Sequence, residues 1–305
     1  MTDDTRIEIG RAKALLTKKL YRWMPAPGEN PTAVPGLTLY RGDEIHTVGN
    51  CLYRPLISMI NQGAKHIVAG NEEYHCTDND IMIFGVDFPA SVMITQASRE
   101  TPCISLVLDL DKNLLEQLAL QAPHGALDDR HIAGGALKQP VDSEILDAFF
   151  RMVELLDTPE QIPVLAPMIV KEIHYRLLMG PNGRHLRSFY ALGSQNNQIT
   201  RAISWLKQNL TASVLVEELA EQAAMAPSTF HRRFKEITGI SPIQFQKRMR
   251  LHEAQRLMLA GNLDVSGVSI AVGYENISHF IREYKRFFGN PPRKNIMMMR
   301  EDKKQ

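Results

Sequence analysis

An internal repeat constrains this chain more than any other feature of its sequence. Residues 228–242 and 278–292 carry the same pattern fifty residues apart, and six of the fifteen paired positions are identical. Each copy follows a second short segment with a helical apolar period. Two pairs of short helices, each with its second helix closed by a glycine, predict two helix-turn-helix units.

The first unit has two apolar stripes at helical spacing. The stripe of its supporting helix is formed by Val216, Leu219, Ala220 and Ala223. The next helix is expected to begin at Pro227 and to end at Gly239, which suits a left-handed cap. Its inner stripe is formed by Phe230, Phe234 and Ile237. The remaining outer face is short, polar and basic.

The second unit repeats this plan, with Asp264 as the expected N-cap of its supporting helix. That helix presents Val265, Val268 and Val272, and the helix that follows presents Phe280, Tyr284 and Phe287. Between the units, Ser241 opens a capping-box pattern and Gly261 is expected to end a helix of about five turns. This long helix would act as a rigid spacer.

The outer faces of the two repeated helices are the candidate functional site. A helix-turn-helix places its second helix in the major groove, so two such helices about one DNA turn (~34 Å) apart would read successive grooves. The candidate base contacts are Ser228, His231, Arg232, Ile277, Ser278, Ile281 and Arg282. Arginine suits guanine and isoleucine suits the thymine methyl group. The rest of the predicted DNA interface comprises Thr229, Arg233, Lys235, His279 and Lys285, of which Arg233, Lys235 and Lys285 are predicted to contact phosphate.

A basic residue on the outer face of one amphipathic helix is usually just solvated. Two matched basic faces in one chain favour DNA binding instead. The charge distribution agrees, because the residues after 199 hold 17 Lys and Arg against 10 Asp and Glu, whereas the preceding part holds 18 against 24. The basic part is therefore the part that contains the repeat.

Residues 195–295 resemble the C-terminal domain of the AraC/XylS family of bacterial transcription regulators. The motifs that carry the resemblance are 225–235 (MAPSTFHRRFK), 238–242 (TGISP), 250–254 (RLHEA), 272–275 (VGYE) and 280–289 (FIREYKRFFG). Ala226 departs from the family's usual capping serine, and Gly267 lies inside a supporting helix. Each departure should cost about 1 kcal/mol. The resemblance implies promoter DNA and RNA polymerase as partners, with activation as the commoner outcome.

The N-terminal part changes character between residues 36 and 110. Short β-favouring runs at 37–40, 56–61, 66–69, 81–85, 91–97 and 104–108 are separated by turn residues. They predict a small jelly-roll, cupin-like barrel that can enclose a small-molecule effector, whose identity the sequence does not give. The runs at 63–75, 80–83, 95–98 and 108–111 also resemble the N-terminal domain of one AraC-type subfamily.

The predicted fold class is α+β with two domains. Residues 1–190 form the β-rich effector or dimerisation domain, with helices at 142–156 and 164–179 that either cover the barrel or pair two subunits in a homodimer. Residues 195–298 form the all-α domain, in which a long helix joins the two helix-turn-helix units. The predicted function is a sequence-specific transcription regulator without enzymatic activity or cofactor.

The remaining features argue against other classes. No apolar run approaches the ~18 residues of a membrane span, and residues 1–4 lack the basic start of a signal peptide, so a cytoplasmic location is expected. The competing class is a cupin-type metalloenzyme or small-molecule binder with a nucleic-acid-binding tail, but the closely spaced histidines of such a metal site are missing. Cys51, Cys76 and Cys103 are a secondary hypothesis for redox sensing, for which a thiol must be made more acidic.

Overall fold

The computed structural model of the chain describes residues 3–121, 134–212, 214–261 and 263–302. Its strands are β1 (Gly28–Pro31), β2 (Leu37–Gly42), β3 (Thr47–Tyr53), β4 (Leu56–Gln62), β5 (Ala64–Ala69), β6 (Glu72–Thr77), β7 (Asp80–Phe84), β8 (Phe88–Gln96), β9 (Cys103–Asp109) and β10 (Ala136–Pro140). Its α-helices are α1 (Asp3–Trp23), α2 (Lys112–Gln121), α3 (Ser143–Glu154), α4 (Ile162–Met179), α5 (Gly183–Tyr190), α6 (Gln195–Gln208), α7 (Val216–Gln222), α8 (Pro227–Thr238), α9 (Pro242–Ala260), α10 (Val265–Ala271), α11 (Ile277–Phe288) and α12 (Pro292–Asp302).

The strands form two antiparallel sheets that face each other. One sheet has the order β1-β2-β9-β4-β7-β10 and the other has the order β3-β8-β5-β6. Side chains from both sheets line a common interior, as in a jelly-roll sandwich. The α+β prediction is confirmed, and the six predicted β-runs correspond to β2, β4, β5, β7, β8 and β9.

Helices cover the outside of the larger sheet. α1 packs against α3 and β4, and α3 packs against α4. The carboxylate of Asp142 caps α3 by accepting from the Ile145 N–H at 2.7 Å, so the predicted helix near residue 142 has an ordinary polar start. α4 leaves an apolar row exposed at Val164, Met168 and Tyr175, with 66%, 64% and 48% exposure.

Two apolar cores divide the molecule. The larger one runs from Ile9 through both sheets and helices α3 to α8, and ends at Phe245 and Met249 in α9. The smaller one lies around the second helix-turn-helix unit, from Leu251 to Ile296. The first helix-turn-helix unit therefore shares its core with the N-terminal sandwich, whereas the second unit has a core of its own.

Candidate nucleic-acid interface

Each helix-turn-helix unit turns at a residue with a left-handed backbone conformation. That residue is Ala224, with φ of 50°, in the first unit and Gly273, with φ of 82°, in the second. In both turns the next amide donates to the carbonyl five residues back, at 2.9 Å and 3.0 Å. The same turn geometry thus sets the angle between α7 and α8 and between α10 and α11.

α8 is the second helix of the first unit, and its inner face is as predicted. Phe230, Phe234 and Ile237 are fully buried. Gly239 ends the helix with φ of 76°. The exposed residues of its outer face are Ser228, His231, Arg232 and Lys235, with Thr229 half-buried beside them. Ala226 occupies the N-cap and provides no side-chain hydrogen bond, as the sequence indicates.

α11 is the corresponding helix of the second unit. Its cap is Asn276, whose side chain accepts from the His279 N–H at 3.0 Å, and Gly289 ends it with φ of 80°. Phe280 and Tyr284 are fully buried. The exposed residues are Ile277, Ser278, His279, Ile281, Arg282 and Lys285. The two isoleucines are 39% and 36% exposed, which places apolar surface among polar neighbours.

Arg233 is an exception among the predicted contacts. A phosphate contact requires an exposed side chain, but Arg233 is only 2% exposed. Its guanidinium donates to Gln195 of α6 at 3.2 Å and to Glu236 at 3.1 Å. Arg233 therefore joins α8 to α6, and its burial argues against the predicted contact with phosphate.

Arg232 lies on the exposed face but has an ion-pair partner. Its guanidinium is 2.7 Å from the Glu236 carboxylate, one helical turn away. Partial burial would raise the pKa of Glu236, but hydrogen bonds from Arg233 and Arg232 outweigh it and lower that pKa. Because exposed ion pairs contribute little energy, Arg232 can exchange this carboxylate for a base edge.

An open cleft beside α11 continues the exposed face of the second unit. Ser278, His279 and Arg282 line it together with residues of α9. At its base, the buried Glu283 accepts from Tyr274 at 3.3 Å and pairs with Lys247 of α9. These contacts fix α11 against the long helix that joins the two units.

Arg250 of α9 also joins the two units. Its guanidinium donates to the carbonyls of Leu210 and Ala212, before the first unit, and of Gly273 in the turn of the second, at 2.6 Å, 3.0 Å and 3.0 Å. A single planar cation thus satisfies three backbone acceptors on separate segments. The long helix is a spacer, as predicted, and Arg250 fixes its position between the units.

The C-terminal end of α8 contacts the N-terminal sandwich directly. The amides of Gly134 and Gly135 donate to the carbonyls of Glu236 and Ile237, at 3.0 Å and 2.8 Å. A Cβ atom on Gly239 would lie 2.3 Å from the Cα atom of Gly70 in the turn between β5 and β6. Backbone contacts therefore hold α8 against the sandwich, and the contact at Gly239 leaves no room for a side chain.

A buried carboxylate provides a second connection between the two parts. Asp87, in the segment between β7 and β8, is 1% exposed and pairs with Lys207 of α6 at 2.6 Å and with Lys112 of α2 at 3.5 Å. Breaking a buried pair by removing one partner is costly, because the other charge is left without compensation. Asp87 therefore fixes α6, the helix that precedes the first helix-turn-helix unit.

The interior of the sandwich contains a cavity of about 500 Å³. Its sheet walls are mostly apolar and include Leu52, Ile67, Phe84, Val92 and Val107, and Met249 and His252 of α9 close one side. Both parts of the chain thus contribute to one cavity, and its volume lies in the range of small-molecule sites.

The three cysteines do not have the environment that redox sensing requires. Cys76 and Cys103 are buried and Cys51 is half-buried. Burial raises the pKa of all three thiols, that of Cys76 to about 11. This direction is opposite to the more acidic thiol that the redox hypothesis requires. Within the described ranges, no group of three His, Cys, Asp or Glu side chains could hold a metal ion.

Several residues that form or support the interface were not predicted from the sequence. The Asn276 cap could have been found, since asparagine precedes a helix with a clear apolar stripe. The roles of Asp87, Glu283 and Arg250 depend on partners far away in the chain, and no local pattern marks them.

No helix in the described part of the chain is both long and apolar enough to cross a membrane.

Comparison with known proteins agrees with this geometry. The family described as "AraC-type transcriptional regulator N-terminus" matches residues 33–185, and the family described as "Helix-turn-helix domain" matches residues 219–295. The first match covers the sandwich from β2 onward and helices α2 to α4, and the second runs from within α7 to the start of α12. Together they span most of the chain.

Curated relatives match only the C-terminal part. The transcriptional activator RhaS of Pectobacterium atrosepticum is 28% identical over 101 residues, which are 33% of this chain and 36% of the relative. RhaS of Salmonella schwarzengrund is 29% identical over 109 residues, which are 35% of this chain and 39% of the relative. The matched segment therefore spans little more than a third of these relatives.

Solved structures of ToxT from Vibrio cholerae have the same overall fold. An apo variant aligns with a TM-score of 0.59 at 13% identity, covering 86% of this chain and 96% of ToxT. The structure of ToxT with a bound unsaturated fatty acid aligns with a TM-score of 0.58 at 14% identity, covering 86% and 94%. On the fold, the paired helix-turn-helix units and the two family matches, the chain belongs to the AraC family of DNA-binding transcription regulators.

Proposed function

We propose that one subunit reads an asymmetric promoter site by inserting α8 and α11 into successive major grooves. The observation that carries this proposal is the pair of matched exposed faces on helices with equivalent turns and left-handed glycine ends. The faces differ in chemistry, since α8 offers a histidine where α11 offers an isoleucine. A subunit with two different reading faces needs two different half-sites.

We assign the roles of the exposed residues by their chemistry. Arg232 and Arg282 suit bidentate contacts to guanine, while Ile277 and Ile281 suit thymine methyl groups. The hydroxyl and imidazole side chains supply shorter hydrogen bonds and belong to Ser228, Thr229, His231, Ser278 and His279. Lys235 and Lys285 position the protein on phosphate. Arg233 is left out because it is buried.

We further propose that a small-molecule effector binds in the cavity between the sheets and that the protein activates transcription. The cavity has walls from both parts of the chain, so its occupant can alter how the two parts are arranged.

The RhaS relatives are named as activators, which supports activation and contact with RNA polymerase. The exposed apolar row on α4 supports a homodimer. Binding to promoter DNA implies a cytoplasmic location.

The proposal is tested by selecting binding sites from a random DNA pool with the full chain and then measuring two variants. Arg232→Ala should weaken binding to the selected site by about 1 to 3 kcal/mol and relax selectivity at one base pair. Lys235→Ala should weaken binding to selected and random DNA alike and make the salt dependence shallower. Both affinities are measured by fluorescence anisotropy over a series of salt concentrations.

Arg22→Ala is the matched control, because Arg22 is an exposed arginine on α1, in the N-terminal part, whose partner is Asp157. It should leave both affinities unchanged. Equal losses on selected and random DNA for Arg232→Ala and Lys235→Ala would contradict the assigned roles. A selection that enriches no sequence would contradict the proposal as a whole.

A further inference from the structure

Lys65 is the feature of the cavity that the proposed function does not explain. It lies on β5 and is 8% exposed. Its Nζ crosses between the sheets, donates to Ser105 Oγ of β9 at 2.7 Å and lies 4.6 Å from the centre of the Tyr40 ring. A hydroxyl and an aromatic face stabilise an ammonium group but do not neutralise it.

Lys65 also lacks a carboxylate partner. Among the residues that the structure describes, no Asp or Glu forms an ion pair with it, and the acidic groups closest in influence are the three thiols. Burial raises the pKa of those thiols, so they are uncharged at neutral pH. A buried cation without a counterion is costly, and an anion that enters the cavity removes that cost.

The other cations that line the cavity differ from Lys65 in this respect. Arg54, Lys207 and Arg256 each form an ion pair, with Asp109, Asp87 and Glu253. Lys65 is therefore the one lining cation for which the described residues provide no ion pair, and the unpaired carboxylate of the lining, Glu29, is exposed. The apolar part of the lining consists of leucine, isoleucine, valine, phenylalanine and methionine side chains, which suit the apolar body of a ligand.

His252 lines the same cavity from the side of α9 and is also unsatisfied. Its Nε2 is buried, and no described residue forms a hydrogen bond with it. Its ring packs edge-on against Phe287 and Phe288 at the end of α11, with centroids 5.3 Å and 5.5 Å apart. The imidazole thus lies between the cavity and the second reading helix.

We infer that the cavity binds an amphipathic molecule with a single acidic group, that Lys65 holds this group, and that His252 relays occupancy to α11. The inference rests on the proposed function and specifies the class of its effector and the route of its action. A ligand that contacts His252 changes the environment of a ring that supports α11. The second half-site is then the one whose reading responds first.

The ligand class is tested by calorimetric titration of the full chain. The probes are straight-chain carboxylates from butanoate to dodecanoate, with the alcohol and amine of each length. The best carboxylate should bind roughly tenfold more tightly than its alcohol, the factor expected for a hydrogen bond to a charged group, and the amine should bind most weakly. Lys65→Met should abolish the preference for acid over alcohol. Lys13→Met is the matched control, because Lys13 is also buried but lies outside the cavity and should keep the preference.

The relay is tested with the same carboxylate at saturation and the DNA site selected above. The affinity of the wild-type chain for DNA should change by about fivefold or more, the usual lower range of allosteric coupling. His252→Phe should make the affinity for DNA insensitive to the carboxylate.

The ligand class is overturned if the wild type binds acid and alcohol equally, or if Lys65→Met keeps the preference for the acid. A full response to the carboxylate in His252→Phe overturns the relay. Either result leaves the DNA selection, and with it the proposed function, intact.

Discussion

At the scale of single residues, the structure separates side chains that resemble one another in sequence. Arg232 and Arg233 are neighbours in a basic run, yet one is exposed on α8 and the other is buried against α6. The helical period places a residue on a face only to within one position, and Arg233 lies at the edge of the apolar stripe. Its hydrogen-bond partner Gln195 is 38 residues away in the chain, so no local pattern predicts the contact.

His252 supports a prediction about acid stability. Burial lowers the pKa of its imidazole to about 4, from an ordinary value near 6.5. As pH falls, the imidazole of the unfolded chain is protonated before that of the folded chain. The contribution of neutral His252 to the free energy of unfolding is therefore complete above pH 6.5 and is lost as pH falls from 6.5 towards 4. Urea unfolding at pH 7.5 and pH 5 should show a smaller loss of stability in His252→Phe than in the wild type. An identical loss would show that His252 is not buried in its neutral form.

At the scale of elements, the sequence identifies helices and strands whose signal is local. Both helix-turn-helix units, the glycine ends of α8 and α11 and the Asp264 cap are found where the sequence places them. Strands β1, β3, β6 and β10 lie at sheet edges, and β6 has a largely exposed sequence without apolar alternation. These four strands are the ones that the sequence did not predict. Their composition gives no apolar alternation to detect, because pairing with a neighbouring strand defines them.

The start of α8 can be improved and that of α11 can be weakened. Ala226 has the extended backbone of an N-cap but no side-chain acceptor, whereas Asn276 accepts from the His279 amide. Ala226→Ser should raise the free energy of unfolding by about 1 kcal/mol, and Asn276→Ala should lower it by about the same amount. Chemical denaturation measures both. Changes of the same sign in the two variants would contradict this account of the caps.

Arg250 should be far more important for stability than its exposed neighbour Arg256. Arg250→Lys removes the planar group that donates to three part-buried carbonyls, and it should lower the free energy of unfolding by about 1 to 3 kcal/mol. Arg256→Lys keeps an exposed pair with Glu253 and should change stability by less than about 0.5 kcal/mol. Thermal and urea unfolding of the two variants provide the comparison. Equal effects would mean that the three carbonyls find other donors.

At the scale of the whole molecule, the sequence predicts two domains but not how they meet. Gly239 and Gly289 look equivalent in the repeat, and both end their helices in the left-handed conformation. Only the first faces the turn at Gly70, whereas a Cβ atom on Gly289 would have no atom within 4 Å. The contact depends on residues far apart in the chain, and a repeat pattern contains no information about it.

This difference allows a matched test of the domain contact. Gly239→Ala and Gly289→Ala should share the cost of a left-handed alanine, roughly 1 kcal/mol. Gly239→Ala should also push the sandwich away from α8, which limited proteolysis of the segment between α5 and α6 would detect as faster cleavage. Gly289→Ala should be cleaved at the wild-type rate. Similar cleavage of both variants would show that the Gly70 contact does not hold the two parts together.

The division of the apolar cores has a consequence for how such a regulator changes over time. A substitution inside the sandwich is transmitted through shared packing to the first helix-turn-helix unit. The second unit has a separate core, so a substitution away from the cavity wall at His252 leaves the packing of that core unchanged. Descendants of this protein can therefore come to respond to a different effector while the second unit keeps its DNA specificity. Promoters bound by the ancestor would then still be bound through one of their two half-sites.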